Sequence, residues 1–195
     1  MTLAPTPVRQ RPLLLAGAAG AVLFIGLFLV ADAVKPGYDP VRDAVSEAQV
    51  GSLGWLPVLN FVVSGLLIAV SSIGVSRAVN PWTGRLVALV GVGLALSGVF
   101  TSDPVPAGEA TWHGMVHNVT GTLSSAALIV ACFTAARWRP EAWWRRYCIA
   151  VGVAMPVVFL IGVALPDTLG IWQRLTNVLG WTWLATMHLR AARAR

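Results

Sequence analysis

One feature repeats six times along this chain: an apolar stretch about as long as the hydrocarbon core of a bilayer is thick. The stretches are residues 13–34, 55–76, 84–101, 114–136, 145–165 and 171–189. A helix crosses a core of about 30 Å with about 20 apolar residues. Lipid offers a peptide group no hydrogen-bond partner, so each stretch can satisfy its backbone only as a helix. The connections KPGYDPVRD, RAVNPWTGR, SDPVPAGEATWH, RWRPEAWWRR and PDTLG are rich in helix breakers and charge. The pattern predicts an all-α polytopic membrane protein, a bundle of six transmembrane helices forming one domain over residues 1–195.

Charged residues make up 11% of the chain, against about 25% in soluble domains. The net charge of +6 does not point to nucleic acid, because the arginines sit at the ends of apolar segments rather than in a basic patch. Lys35 is the single lysine among 14 basic residues, a composition that suggests a GC-rich bacterial genome and hence a multi-pass protein of the bacterial cell membrane. Cys132 and Cys148 fall in or beside apolar segments and imply no disulfide framework.

Basic residues set orientation. Eleven of the 14 fall on one side: Arg9, Arg11, Arg77, Arg85, Arg137, Arg139, Arg145, Arg146, Arg190, Arg193 and Arg195. Both termini are therefore expected in the cytoplasm. Seven of the eight acids lie toward the other face: Asp32, Asp39, Asp43, Glu47, Asp103, Glu109 and Asp167. A cleaved leader is the alternative for the first segment, but its apolar run exceeds the roughly 7–15 residues of a signal h-region. Trp82, Trp138, Trp143 and Trp144 at the inner ends, and Trp55, Trp112 and Trp172 at the outer ends, suit interfacial belts. Gly91, Gly93 and Gly98 in the third segment suit close helix packing.

The stretch TWHGMVHN places His113 and His117 one helical turn apart at the outer start of the fourth segment. That face continues through Gly121 to Ser124 or Ser125. The second segment carries a stripe of Asn60, Ser64 and Ser71, and the sixth opens with Arg174 and Asn177. Polar groups inside spans are costly in lipid and should face one another. An outer-face pocket lined by Asn60, His113, His117, Arg174 and Asn177 is expected, covered by the first outer loop with Asp39, Asp43, Ser46 and Glu47.

GYDPVRDAVSE (37–47), GWLPVLNFVVSGLL (54–67), FTSDP (100–104), HGMVHN (113–118) and a late Arg174 together resemble the membrane-protein family catalogued as domain of unknown function nine-nine-eight. The resemblance covers nearly the whole chain. It implies a six-helix membrane fold with these positions marked, and no particular activity.

Three functional readings follow from the residues. In the first, His113 and His117 bind zinc with Asp103 as third ligand, Asp43 and Glu47 being alternatives. The metal would activate water to hydrolyse a lipid-like bond, with Glu47 as base and Arg174 on an anionic group. Gly114 stands where the H-E-x-x-H pattern has its base. A Ser46 nucleophile is an alternative whose base the spacing does not identify. In the second, the pocket binds or transports a lipid headgroup or small amphiphile without chemistry; for transport, a homo-oligomer would offset the small size. In the third, the polar cluster is structural. Membrane lipids are the expected partners throughout.

Overall fold

Proline and polar caps fix where the helices begin. Asn80 accepts a hydrogen bond from the Thr83 amide at 2.8 Å, with Pro81 in the first helical position. Thr111 accepts one from the Gly114 amide at 3.1 Å. Each cap satisfies an amide that has no partner within its own helix. The computed structural model describes residues 10–104 and 110–193; Arg9, Glu109 and Arg195 lie outside the described residues. It contains six long helices: α1 (Arg11–Val34), α2 (Trp55–Ala78), α3 (Pro81–Val99), α4 (Trp112–Ala135), α5 (Ala142–Ala164) and α6 (Leu169–Arg193). Short 3₁₀ turns at Val45–Gln49 and Pro166–Thr168 interrupt two connections. No strand occurs among the described residues. Every expected segment is a helix, and each boundary falls within a few residues of the apolar pattern.

Five of the helices, α1 to α5, are long and apolar enough to cross a membrane. The sixth, α6, is as long but more polar, and two of its polar groups, Arg174 and His188, are buried inside the bundle. His188 is fully buried, with Nε2 2.8 Å from Ser71 Oγ on α2 and Nδ1 2.8 Å from the Leu184 carbonyl.

The helices form a ring. Each packs on its successor and α6 closes against α1. Arg174 meets Asp32 at one end, while His188 meets Ser71 and abuts Gly17 at the other, so α1 and α6 run antiparallel. The start of α1 and the finish of α6 thus share one end of the bundle, here the terminal end; the opposite one is the loop end. The α2–α3 seam is closest. A Cβ on Gly65 would lie 2.5 Å from the Ala95 amide nitrogen and 2.7 Å from the Gly91 carbonyl oxygen. Only glycine permits that backbone approach. Gly93 and Gly98 pack against Thr120 and Phe61 in the same way, which accounts for the small residues of α3. The α4–α5 seam is the loosest between consecutive helices.

The tryptophans divide into two kinds. Trp55, Trp82 and Trp112 project from helix ends, each more than 60% exposed. Trp138 and Trp144 do not belong to a belt as expected: both are core residues, and the Trp144 indole donates to the Ala135 carbonyl at 2.9 Å. Packing between α4 and α5 claims them. Cys132 and Cys148 are buried, free thiols.

Candidate functional site

The polar residues of the loop end sort into three arrangements. The first is a knot around Arg174. A guanidinium has five N–H donors, and every one is used. Nε and Nη2 reach the two oxygens of Asp32 at 2.8 and 2.7 Å. Nη2 also donates to the Tyr38 hydroxyl at 2.6 Å. Nη1 donates to the carbonyls of Asp43 and Gly170 at 2.9 and 3.0 Å. Tyr38 in turn donates to the Ala44 carbonyl at 2.8 Å. Burial raises the pKa of that hydroxyl above its ordinary value despite the Arg174 charge beside it, which keeps it a donor. The first loop is further stapled to the start of α6: the amides of Gly170 and Ile171 donate to the Arg42 and Val41 carbonyls, and the Val45 amide donates to Gln173 Oε1 at 2.7 Å. Amides without partners in the first turn of α6 are thus answered by the loop.

The second arrangement closes the end of α3. A carbonyl can only accept, so Nδ1 of His117 carries the proton that it shares between the carbonyls of Ser97 and Phe100, at 2.8 and 2.9 Å. His113 Nδ1 donates to the Thr101 carbonyl at 3.1 Å. Gln49 donates to the Ser97 carbonyl and accepts from the Ser102 amide. The last carbonyls of a helix have no intrahelical donors; His117 and Gln49 supply them at the end of α3, and His113 holds the residue just beyond its cap. Asp103 lies against the start of α4, accepting from both the hydroxyl and the amide of Thr111. Those hydrogen bonds hold its carboxyl below the usual range. Gly114 makes the fit, since a Cβ there would overlap the carboxylate.

The third arrangement is a cavity of about 490 Å³ between α4, α5 and α6, floored by α1 and α2. At its loop end stand Ser46, His117, Asn118, Gln173 and Asn177; deeper in are Phe24, Ile129, Met155 and Trp181. Among the described residues, no hydrogen bond engages the His117 Nε2, the Ser46 hydroxyl or the Asn177 amide group. The Trp181 indole N–H is buried and likewise without a partner. Thr122, Ser125, Phe159 and Leu160 line the cavity and are exposed, so its mouth is on the flank of the bundle between α4 and α5.

The residues singled out from sequence therefore part company. Ser46, His117 and Asn177 share the cavity, along with Gly121, Ser124 and Ser125. Arg174 does not line it, nor does Asp43, whose carboxylate accepts from Arg42 and from the Asp39 amide. Glu47 caps its own 3₁₀ turn by accepting from the Ala44 amide at 3.0 Å. Asn60 ties α2 to α1 through the Phe24 carbonyl, with Ser64 donating to it. The zinc site expected from His113, His117 and Asp103 is not formed. Among the described residues no group of three or more His, Cys, Asp and Glu is arranged to hold a metal. Asp103 is turned onto Thr111, and Asp43 and Glu47 serve the loop instead.

The chain is matched over residues 18–190 by the family model described as a protein of unknown function, DUF998. The chain belongs to this family. No curated protein and no solved structure matches the chain. The matched region runs from α1 to near the end of α6 and so includes the knot, the capped α3 terminus and the cavity of this DUF998 member.

Asp32, Tyr38, Gln49, Gln173 and Trp181 are the residues that sequence reasoning passed over. The signal for Asp32 was present: an acid at the end of an apolar run, with a lone arginine at the same level of another. Intramembrane ionisable residues seek one another, and Asp32 and Arg174 do so here.

Proposed function

We propose that this protein binds an amphiphile taken sideways from the membrane into the cleft between α4, α5 and α6. The observation that carries the reading is the cavity's chemistry: uncommitted polar groups at the loop end, aromatic and aliphatic walls deeper in, and a mouth on the bundle flank. Its volume of about 490 Å³ lies within the common range for small-molecule sites. The occupant's polar head would meet His117, Gln173 and Asn177, its chain would lie along Phe159 and Leu160, and an acceptor atom on it would satisfy the Trp181 indole. Ser46 and His117 supply a hydroxyl and an imidazole, but no hydrogen bond joins them. The arrangement therefore favours binding without bond cleavage.

The same proposal sets the protein in a bacterial cell membrane with six spans and its terminal end in the cytoplasm. Support comes from the arginines grouped at that end and from α6, whose 25 residues would extend about 37 Å.

A photoreactive fatty acid added to the purified full chain in nanodiscs tests the binding. Adducts should map to cavity residues of α4, α5 and α6, and Ser125→Trp, which fills an exposed part of the lining, should remove them. Adducts spread evenly over the lipid-facing surface, unchanged by Ser125→Trp, would sink the idea. Release of fatty acid from an ester analogue, lost in His117→Ala, would instead replace binding by hydrolysis.

A further inference from the structure

The run RWRPEAWWRR between α4 and α5 does more than mark a side of the membrane. A second cavity, of about 560 Å³, lies at the terminal end of the α4–α5 seam. Arg137, Arg139 and Arg145 line it, with Phe133, Ile149 and Pro140. Among the described residues none of the three arginines forms an ion pair. The ion pairs among the described residues belong to Arg42, Arg174 and Arg190. The acid nearest in sequence, Glu141, is drawn off to Arg190 at 3.0 Å. Arg190 in turn is held over Trp143, 4.3 Å from the ring centroid. Arg139 stacks over Trp138, also at 4.3 Å, and its Nε is buried with no hydrogen-bond partner among the described residues. Burial, together with the charge of Arg190, lowers the pKa of Arg139 below its ordinary value in spite of Glu141. Three cationic side chains thus line one hollow, and the neighbouring carboxylate of Glu141 makes its ion pair with Arg190 rather than with any of them.

The wall of the hollow argues for what answers these charges. Phe133 and Ile149 are 41% and 39% exposed, and they stand on the flank of α4 and α5 toward the bundle middle. A small inorganic anion would use the arginines and leave this apolar surface bare. A phospholipid would use both. Arginine clusters between helices at a membrane surface suit anionic headgroups, and the guanidinium fork matches phosphate oxygens.

We propose that Arg137, Arg139 and Arg145 form a site for the phosphate of an anionic phospholipid, whose acyl chain runs along Phe133 and Ile149. This site is separate from the loop-end cavity and requires no occupant there.

The test uses the full chain in nanodiscs of phosphatidylcholine doped with phosphatidylglycerol, with retained lipid read by native mass spectrometry. Wild type should retain phosphatidylglycerol in preference to phosphatidylcholine. The triple variant Arg137→Gln/Arg139→Gln/Arg145→Gln should bind it roughly a hundredfold more weakly, at about fivefold per arginine. A second triple variant, Arg77→Gln/Arg85→Gln/Arg146→Gln, removes the same charge from the same end outside the hollow and should keep the wild-type preference. Equal losses in the two variants would overturn the site in favour of diffuse surface charge, and no loss in either would overturn it outright. If the first triple variant fails to fold, Phe133→Ala/Ile149→Ala decides the matter: retention should fall severalfold, and unchanged retention counts against the site. Complete displacement of the lipid by millimolar inorganic phosphate would show that the arginines hold a free anion and overturn the lipid assignment.

Discussion

Arg174 and His117 stand at the same end of the bundle, and the sequence invites the same reading of both. The structure treats them oppositely. All five donors of Arg174 are spent on Asp32, Tyr38 and two carbonyls. His117 spends one nitrogen on the end of α3 and lines an open cavity with the rest of its ring. Residue type does not separate a structural polar group from one available to a ligand. Hydrogen-bond accounting does, because a buried group must be satisfied by the protein or by an occupant.

The largest effect that sharpens this contrast is expected at the knot. Arg174→Met leaves the Asp32 carboxylate, whose side chain is 11% exposed, without its partner. Removing one member of a buried pair costs roughly 3–5 kcal/mol, so the unfolding midpoint in detergent should drop steeply. The double variant Arg174→Met/Asp32→Asn should recover much of the loss. Cavity occupancy in whatever fraction stays folded should be unchanged. A variant of wild-type stability that has lost its ligand would reverse the roles assigned to the two residues.

His117→Phe comes next, because His117 is spent on one side and free on the other. Loss of its donor leaves the Phe100 carbonyl unanswered and the Ser97 carbonyl with Gln49 alone. An unsatisfied buried polar group costs about 1–3 kcal/mol, and ligand retention should fall together with stability. Thermal unfolding with and without the fatty-acid probe separates the two losses. A change in stability with no change in retention would move His117 wholly to the structural side.

Asp103 offers a test by pH. Thr111→Ala removes a cap, at a cost of about 1 kcal/mol. The Asp103 carboxyl is held below its ordinary value by hydrogen bonds from the Thr111 hydroxyl and amide. A group whose pKa is depressed by folding stabilises the fold above its unfolded value, near 3.9 for aspartate, and loses that contribution as pH falls through the folded value. The stability gap between wild type and Asp103→Asn should therefore be present at pH 7 and shrink below pH 4. A gap that widens in acid would mean that Asp103 is not spent on the cap.

Much of the fold was legible because lipid leaves few choices. Runs of apolar residues bounded by NPW, SDP and LPD became helices with ends close to the expected positions. The small residues of α3 gave away its packing, since only a glycine such as Gly91 admits a neighbouring backbone so closely. The site was legible in its residue types and not in its pairings. His113 and His117 had the spacing of an imidazole ligand pair, with Asp103 as the third group, but nothing in one sequence says that carbonyls at and just beyond the end of α3 and the start of α4 would claim them first. Asn60, Ser64 and Ser71 did prove fully buried. They face α1 and α6 rather than the cavity, a choice made by ring closure between α1 and α6 that no local pattern encodes. Tryptophan followed the same rule: Trp138 and Trp144 look like belt residues in RWRPEAWWRR until the neighbouring helix covers them.

The smallest expected effect on stability is the sharpest test of the contrast. Asn177 lines the cavity, is partly exposed, and its side chain makes no hydrogen bond among the described residues. Replacing a group that holds nothing in the folded protein should change stability by no more than about 0.5 kcal/mol. If Asn177 is reserved for an occupant, Asn177→Leu should leave the unfolding midpoint in place while reducing retention of the photoreactive fatty acid severalfold, the inverse of Arg174→Met. Should Asn177→Leu instead destabilise the bundle by as much as His117→Phe, the group is already spent on something inside the protein. The division between committed and uncommitted polar groups at the loop end would then fail at the position where it is most exposed to test.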